Sequence, residues 1–312
     1  MRLGPKLFGL VAGIALIATG CVTTGTGRTG DRSAGVAPRT DAVVVGAFNF
    51  SESRVLAEVF AQTLRAAGFD AELLGEVGSR EIMEPALEQG QVDLVAEYLG
   101  TALTFLDPVA ADSVRNLSAA HAELQARFGE RGIEVLRPSP GENRNEIVVT
   151  RRTQKKFDLH DISDLGKVAG ELVLGGPPEC PSRPLCLQGL VDVYDLHFKA
   201  FHPLDSGGPA TVAALGAGEI DVALLFTTNP AIDINGFVVL RDDRRLQPSE
   251  NVVPVIRHEV VSRYGDALVD SLNAVTSKLT NVTLRRLNAR AEIDHVPADV
   301  VAAEWLEEQG IL

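Results

Sequence analysis

Ala86-Leu87-Glu88-Gln89-Gly90-Gln91-Val92-Asp93-Leu94-Val95 returns, much further along the chain, as Ala214-Leu215-Gly216-Ala217-Gly218-Glu219-Ile220-Asp221-Val222-Ala223. Each stretch reads as the end of a helix, a glycine able to take the left-handed stop conformation, and an apolar strand opened by an aspartate. The recurrence predicts two similar α/β halves; the competing reading is chance repetition of a common helix-to-strand transition. The residues after each copy support the first reading. Glu97-Tyr98-Leu99-Gly100-Thr101 and Phe226-Thr227-Thr228-Asn229-Pro230 both place polar and aromatic groups at the C-terminal end of a strand. Open α/β sheets bind ligands at that edge, and two lobes facing across a cleft enclose small ligands.

On the N-terminal side of the first copy, residues 43–46 read as a strand. Residues 51–67 read as an amphipathic helix with Val55, Leu56, Val59, Phe60 and Leu64 on one face and Gly68 as its stop. A strand at 71–74, a helix at 79–89 and a strand at 92–96 come next, a βαβαβ start that implies a parallel sheet with right-handed crossovers. A helix near 110–131 and a strand at 133–136 complete the first half, and Pro138-Ser139-Pro140-Gly141 reads as a crossing between lobes. The second half reads as a strand at 147–150, a helix opened by Asp161-Ile162-Ser163-Asp164, and a strand at 172–174. After a cysteine-bearing loop come a helix near 187–194, a strand at 200–203, a helix at 210–217 and strands at 220–225 and 237–240. Arg241-Asp242-Asp243-Arg244-Arg245 reads as a solvated turn rather than a charge-recognition site. Residues 251–312 are expected to return to the first lobe as largely helical closing segments. The domain reading is lobe 1 over 41–142 plus 251–312 and lobe 2 over 143–250.

Before residue 41 the chain has another character. Arg2 and Lys6 precede the apolar run 7–18, and Thr19-Gly20-Cys21 closes it. A positive start and an apolar stretch too short to span a bilayer comfortably make residues 1–20 a bacterial export signal. Cys21 after small residues resembles the lipobox of bacterial lipoproteins, in which diacylglyceryl transfer to the thiol precedes cleavage. The lipobox prefers leucine where this chain has Ala18, and a plain cleavable signal or an uncleaved anchor are the competing readings. Residues 21–40, rich in Thr, Gly, Ser and Arg, read as a flexible tether between membrane and domain. The Gly25-Thr26-Gly27-Arg28-Thr29-Gly30 match to a dinucleotide fingerprint has neither a strand before it nor a helix after it, and so carries no function.

The remaining length of about 290 residues is enough for two lobes with real cores. Net charge is −13, or −15 once Arg2 and Lys6 leave with the signal, which makes the chain a poor nucleic-acid binder. Cys180 and Cys186 enclose Pro181-Ser182-Arg183-Pro184-Leu185. In an exported protein such a pair is expected to form a local disulfide, against a reduced or metal-bound pair, and no neighbouring histidine or cysteine suggests a zinc site. The chain lacks G-x-S-x-G, H-E-x-x-H, a P-loop and an acidic calcium loop, and its six histidines are scattered. A binding protein is therefore expected rather than an enzyme, with no cofactor and no metal.

Gly46-Ala47-Phe48-Asn49-Phe50-Ser51-Glu52 is similar to the first-strand loop of the osmoprotectant (glycine betaine, choline, carnitine) substrate-binding proteins of ABC transporters, and Glu97-Tyr98-Leu99-Gly100-Thr101 resembles their E-Y-T-G-T segment. The resemblance continues through Gly207-Gly208, residues 214–229, Leu240-Arg241-Asp242-Asp243 and Asn251-Val252-Val253-Pro254, and covers nearly all of 42–312. It implies an α/β type II periplasmic-binding-protein fold, two lobes with parallel-core sheets joined by a two-segment hinge, that close on ligand and dock on a membrane permease coupled to a cytoplasmic ATPase. Such proteins hold a quaternary ammonium in a cage of aromatic rings, mostly tyrosines, and any carboxylate with polar groups of the other lobe. Ring faces suit a trimethylammonium because it donates no strong hydrogen bond.

Tyr98 matches a tyrosine near that cage, but the chain has only three tyrosines and one tryptophan, and the second-lobe loops 185–188 and 207–210 hold no aromatic residue. Phe48, Phe50 and Phe226 are candidate substitutes, with core packing at strand ends as the plainer role of each. Asn49 and Thr101 enter through the two matched segments. Ser51, Ser79, Asn143, Asn145, Arg183, Thr227 and Thr228 are candidates for polar recognition, each with capping or loop hydrogen bonding as the alternative. Arg183 beside the cleft would favour an anionic or zwitterionic ligand, or else is a solvated loop arginine. The expected function is an extracytoplasmic, lipid-anchored solute-binding protein for an osmoprotectant-like quaternary amine. The alternatives are a less cationic solute (a polyol, aromatic or phenolic compound), an exported enzyme on the same scaffold, or an envelope sensor.

Overall fold

The computed structural model describes residues 41–109 and 116–312. The export signal, Cys21, the tether and the start of the helix expected near 110 lie outside the described residues. Among the described residues no helix is long and apolar enough to cross a membrane. Two five-stranded sheets organise the molecule. The first holds β1 (Val43–Phe48), β2 (Ala71–Gly78), β3 (Leu94–Tyr98), β4 (Ile133–Val135) and β10 (Val252–Arg257) in the order β2-β1-β3-β10-β4. The second holds β5 (Asn145–Val149), β6 (Val173–Gly176), β7 (Ala200–Pro203), β8 (Val222–Phe226) and β9 (Val238–Leu240) in the order β7-β6-β8-β5-β9. In each sheet three parallel strands form one side, and two further strands extend it through antiparallel pairings. The result is an α/β two-lobe binding-protein fold with mixed sheets around a parallel core.

The duplicated phrase has the same structural role in both sheets. Gly90 and Gly218 end their helices at φ +73° and +77°, where a side chain would be strained. The aspartate then grips the neighbouring parallel strand at two points. Asp93 donates its N–H to the Val44 carbonyl (2.7 Å) while its carboxylate accepts from the Val44 N–H (3.0 Å). Asp221 does the same to Val173, at 2.9 and 3.0 Å. This fixes the strand register and the point at which each central strand meets the cleft.

The first core lies under α1 (Ser51–Ala66), whose Leu56, Val59, Phe60 and Leu64 are fully buried, as the apolar spacing predicts. The C-terminal helices Asp266–Thr276, Asn281–Glu292 and Ala298–Glu308 close over that core, with Trp305 inside it. Two smaller cores flank the second sheet.

Residues 251–312 are largely helical, as expected, and in addition Val252–Arg257 inserts as a strand between β3 and β4, which the sequence reading did not foresee. The segment after Asp161 forms 3₁₀ turns, Ile162–Lys167 and Ala169–Glu171, rather than an α-helix. Ile162 and Leu165, spaced by three and both buried, suit the tighter winding, and the Asp164 carboxylate satisfies the His160 and Asp161 N–H groups. The 241–245 turn is solvent-exposed at all but Asp242, as expected, and is also tied to its surroundings. Arg241 makes two 2.6 Å bonds to Asp161, and Asp242 accepts from the Leu246 and Gln247 N–H groups and the Tyr194 hydroxyl.

The two crossings run side by side. Glu142 bridges to Asn251, Asn143 donates its N–H to the Glu250 carbonyl (2.8 Å), and the Ser139 hydroxyl accepts from the Val252 N–H (3.0 Å). Gly141 is required where they meet the C-terminal helices, since a Cβ there would lie 2.6 Å from the Leu279 carbonyl oxygen.

Candidate functional site

The C-terminal ends of the parallel strands of both sheets face one cleft enclosing about 890 Å³, part of it open to solvent and within the range of small-molecule sites. Its wall is aromatic. Phe50 stands at the centre, 5.8 Å from the Tyr98 ring and 5.8 Å from the Phe226 ring, tilted by 42° and 38°, and 6.0 Å from a parallel Phe48. Tyr98 ends β3 and Phe226 ends β8, each five residues after the aspartate of the duplicated phrase. The repeat thus delivers one ring from each sheet to Phe50. Phe48, 2% exposed, stacks on Phe50 and has the Arg80 guanidinium 5.0 Å from its centroid, so it forms the packed floor.

Of the candidates named from sequence, the structure brings Phe48, Asn49, Phe50, Ser79, Tyr98, Thr101, Asn143, Asn145, Arg183 and Phe226 to this cleft. Ser51 and Thr228 line a separate polar recess behind Phe50 and Phe226. Thr227 lines neither: its hydroxyl accepts from the Arg144 N–H and its carbonyl from Arg285 Nε, both at 3.0 Å.

Several polar candidates are engaged within the protein. Asn145 donates to the Leu185 carbonyl (3.0 Å), and Ser79 to Glu81 (2.6 Å). Asn143 donates to Glu52 (2.8 Å) and accepts from the Thr228 N–H (3.3 Å). Thr101 binds the Glu250 carboxylate through its N–H (3.0 Å) and its hydroxyl. Arg183 is not a free loop arginine. It crosses the cleft to clasp Glu81 at the start of α2 (Arg80–Glu88) with bonds of 2.8, 3.0 and 3.2 Å, and sits 3.6 Å from Glu179. Burial works against the Glu81 charge, but the bonds from Arg183 and Ser79 draw its carboxyl down to about 2. The Cys180–Cys186 disulfide closes the loop that carries Arg183, with Cα atoms 5.2 Å apart.

Sequence reasoning missed the ionic layer beneath the rings. Arg80 makes a bidentate pair with Glu97, both bonds 2.7 Å and both side chains buried, and Glu97 also accepts from the Tyr98 N–H (2.7 Å). Burial opposes the Arg80 charge, and Glu97 more than restores it. Glu84 is buried beside Glu97; burial and then the neighbouring Glu97 charge push its carboxyl up to about 9, so it keeps its proton at neutral pH. Burial raises Glu250 to about 7 against the pull of Thr101. Glu52 accepts four bonds: from Tyr98 Oη and Asn143 Nδ2 at 2.8 Å, and from Thr228 Oγ1 and Asn288 Nδ2 at 2.7 Å. Burial leaves the Glu52 carboxyl raised above its ordinary value, although those four bonds favour its charged form; burial and the Glu52 charge hold the Tyr98 hydroxyl well above its ordinary value, as a neutral phenol. Glu52 and Glu97 stood inside the quoted motifs, but nothing local in sequence discloses partners so distant. Phe105, 40% exposed at the cleft, was likewise missed, because one aromatic in an apolar helix gives no sign of facing outward. Among the described residues no three His, Cys, Asp or Glu side chains converge to hold a metal ion.

A family model described as the substrate binding domain of the ABC-type glycine betaine transport system matches residues 41–308, and the chain belongs to that family of extracytoplasmic transport binding proteins, which are not enzymes. It is similar to a glycine-betaine-binding protein of Pseudomonas aeruginosa, 27% identical over 291 residues that cover 90% of this chain and 91% of that one. It is also similar to the carnitine transport binding protein OpuCC of Listeria monocytogenes, 25% identical over 274 residues covering 86% and 87%. Among solved structures, that of a glycine betaine/carnitine/choline ABC transporter superposes with a TM-score of 0.67 at 25% identity, covering 86% of this chain and 99% of that one.

Proposed function

We propose that the protein binds a quaternary-ammonium osmoprotectant of the glycine betaine, carnitine and choline class between its two lobes, with Phe50, Tyr98 and Phe226 as ring faces, and delivers it to an ABC permease driven by a cytoplasmic ATPase. The observation that carries this reading is the ring group assembled from both sheets, in a cleft whose two arginines, Arg80 and Arg183, are already paired with carboxylates. Such a wall attracts a cation that needs no hydrogen bond and does little to hold a free anion. The relatives' names support the same class. In this reading residues 41–142 with 251–312 and residues 143–250 are the moving lobes, the paired crossings are the hinge, and a lipid on Cys21 holds the protein at the outer face of the cell membrane.

Residues 41–312 form one compact unit, so a thermal-shift series on that unit is the direct test. Glycine betaine, carnitine or choline should raise its melting temperature, since ligand at a hundred times Kd stabilises by about 2.7 kcal/mol. Scattering should show a smaller radius of gyration with that ligand than without. Stabilisation by a polyol or phenolic compound, with none from the quaternary amines, would overturn the proposal. Cys21→Ala should release the full-length protein from the membrane fraction or block its processing, and unchanged partition would remove the anchor.

A further inference from the structure

Glu52 stands behind the aromatic wall rather than in it. It opens α1 with a fully buried side chain, and it lines the polar recess on the far side of Phe50. Its four hydrogen bonds come from four separate parts of the chain: the end of β3, the first crossing, the segment after β8, and the helix Asn281–Glu292. All four donors are neutral. The other buried carboxyls near the rings differ in their partners: Glu97 is paired with the Arg80 cation, Glu250 accepts from Thr101, and neither has a comparable ring of four neutral donors. Glu52 therefore presents a carboxylate with no cation hydrogen-bonded to it, held on both oxygens so that it cannot swing away, with the Tyr98 hydroxyl pointing at it.

We infer that Glu52 is a specificity-determining positioning residue, which makes the cleft prefer a cation over an uncharged ligand of the same shape. It acts through Tyr98. A phenol that donates its proton toward a carboxylate gains electron density in the ring, and the face of a more electron-rich ring attracts a cation more strongly. The fixed negative charge behind the ring adds to that attraction through a weakly screened interior, and its four donors keep it in place before ligand arrives. Phe226, the counterpart ring from the other sheet, borders the same recess but has no hydroxyl to donate to Glu52, so the hydrogen-bonded part of the preference lies at Tyr98.

This inference rests on the quaternary-ammonium reading above, and one pair of probes separates the two. Choline and its carbon isostere, in which a tert-butyl group replaces trimethylammonium, have nearly the same shape and differ in charge. Calorimetric affinities for both are measured with the unaltered protein, with Glu52→Gln and with Tyr98→Phe. The unaltered protein should favour choline, and the choline-to-isostere ratio should fall by about five-fold in Glu52→Gln, as expected for losing one fixed charge behind a ring. In Tyr98→Phe it should fall by about two-fold, since the ring and the carboxylate remain but the bond joining them is gone. A purely structural role for Glu52 would weaken both ligands alike and leave the ratio unchanged; that result in Glu52→Gln overturns the inference. If Glu52→Gln does not fold, an unchanged ratio in Tyr98→Phe overturns it instead. No preference for choline in the unaltered protein overturns the quaternary-ammonium reading itself.

Discussion

Strand for strand, the second sheet repeats the first: β6 corresponds to β1, β7 to β2, β8 to β3, β5 to β10 and β9 to β4, with the same parallel and antiparallel pairings. The loops leaving the corresponding strands have nothing in common. After β1 the chain passes through Asn49 and Phe50 directly into α1. After β6 it makes a proline-rich, disulfide-closed loop before the helix Leu187–Tyr194. The first sheet keeps its edge in shape by buried ionic contacts, Arg80 with Glu97 and Glu250 with Thr101, whereas the second keeps its own by a covalent clip. A duplicated scaffold thus carries two different means of holding a binding edge: Tyr98 and Phe226 come from positions the duplication shares, while Phe50 and the disulfide clip come from loops it does not.

Arg80→Ala attacks the ionic support. It leaves Glu97 buried without its cation and should destabilise the domain by about 3–5 kcal/mol, read from denaturant midpoints. A loss under about 1 kcal/mol would mean that the pair contributes no more than a surface bridge. Replacing Cys180 and Cys186 together by serine attacks the clip, and a loop this short should contribute about 2 kcal/mol. The contrast would fail if Arg80→Ala proved the milder change. At the shared positions, Tyr98→Ala should weaken binding of a quaternary amine by about 1–2 kcal/mol and Phe226→Ala by less, because only Tyr98 donates a hydrogen bond to the Glu52 carboxylate. Calorimetry giving Phe226 the larger effect would reverse the assignment of sides.

The smallest effect belongs to the bridge that joins the two edges. Arg183→Ala removes a half-exposed pair, worth about 0.5 kcal/mol. The bridge should favour the closed form above the ordinary carboxylate range and lose that effect as pH falls toward 2, because Glu81 has its pKa lowered in the closed protein. Scattering profiles of the ligand-free protein that show equal closure with and without Arg183 would exclude it as a latch.

What could be read from sequence was whatever depends on near neighbours. The glycine stops, the buried stripe of α1 and the Cys180–Cys186 pair all depend on residues within a few positions of one another, whereas the grips of Asp93 and Asp221 on Val44 and Val173 are long-range and appear only in the fold. Tyr98 and Phe226 could be placed at strand ends for the same reason. The strand Val252–Arg257 could not, because its partners lie far back in the chain and Pro254 masks its pattern. Glu52, Arg80 and Glu97 looked like ordinary helix and strand polar residues; only folding brings Tyr98, Asn143, Thr228 and Asn288 around one carboxylate. Ser79, Asn143, Asn145 and Thr228 do stand at strand ends and crossings, yet their hydrogen bonds run to other parts of the protein.

The exchange of strands between halves also has a consequence for a chain threaded outward from its N-terminus. Residues 145–240 contain every strand of the second sheet, so that half can complete its hydrogen-bonded ladder as soon as it has emerged. The first half cannot. Among the described residues Ile133–Val135 pairs only with Val252–Arg257, and one edge of Leu94–Tyr98 waits for the same segment. The lobe translocated first is thus the lobe finished last, and it carries an open strand edge through the interval. Such an edge is a template for association with other chains, so the period between emergence of residues 98 and 257 is when the chain is most open to wrong strand pairing.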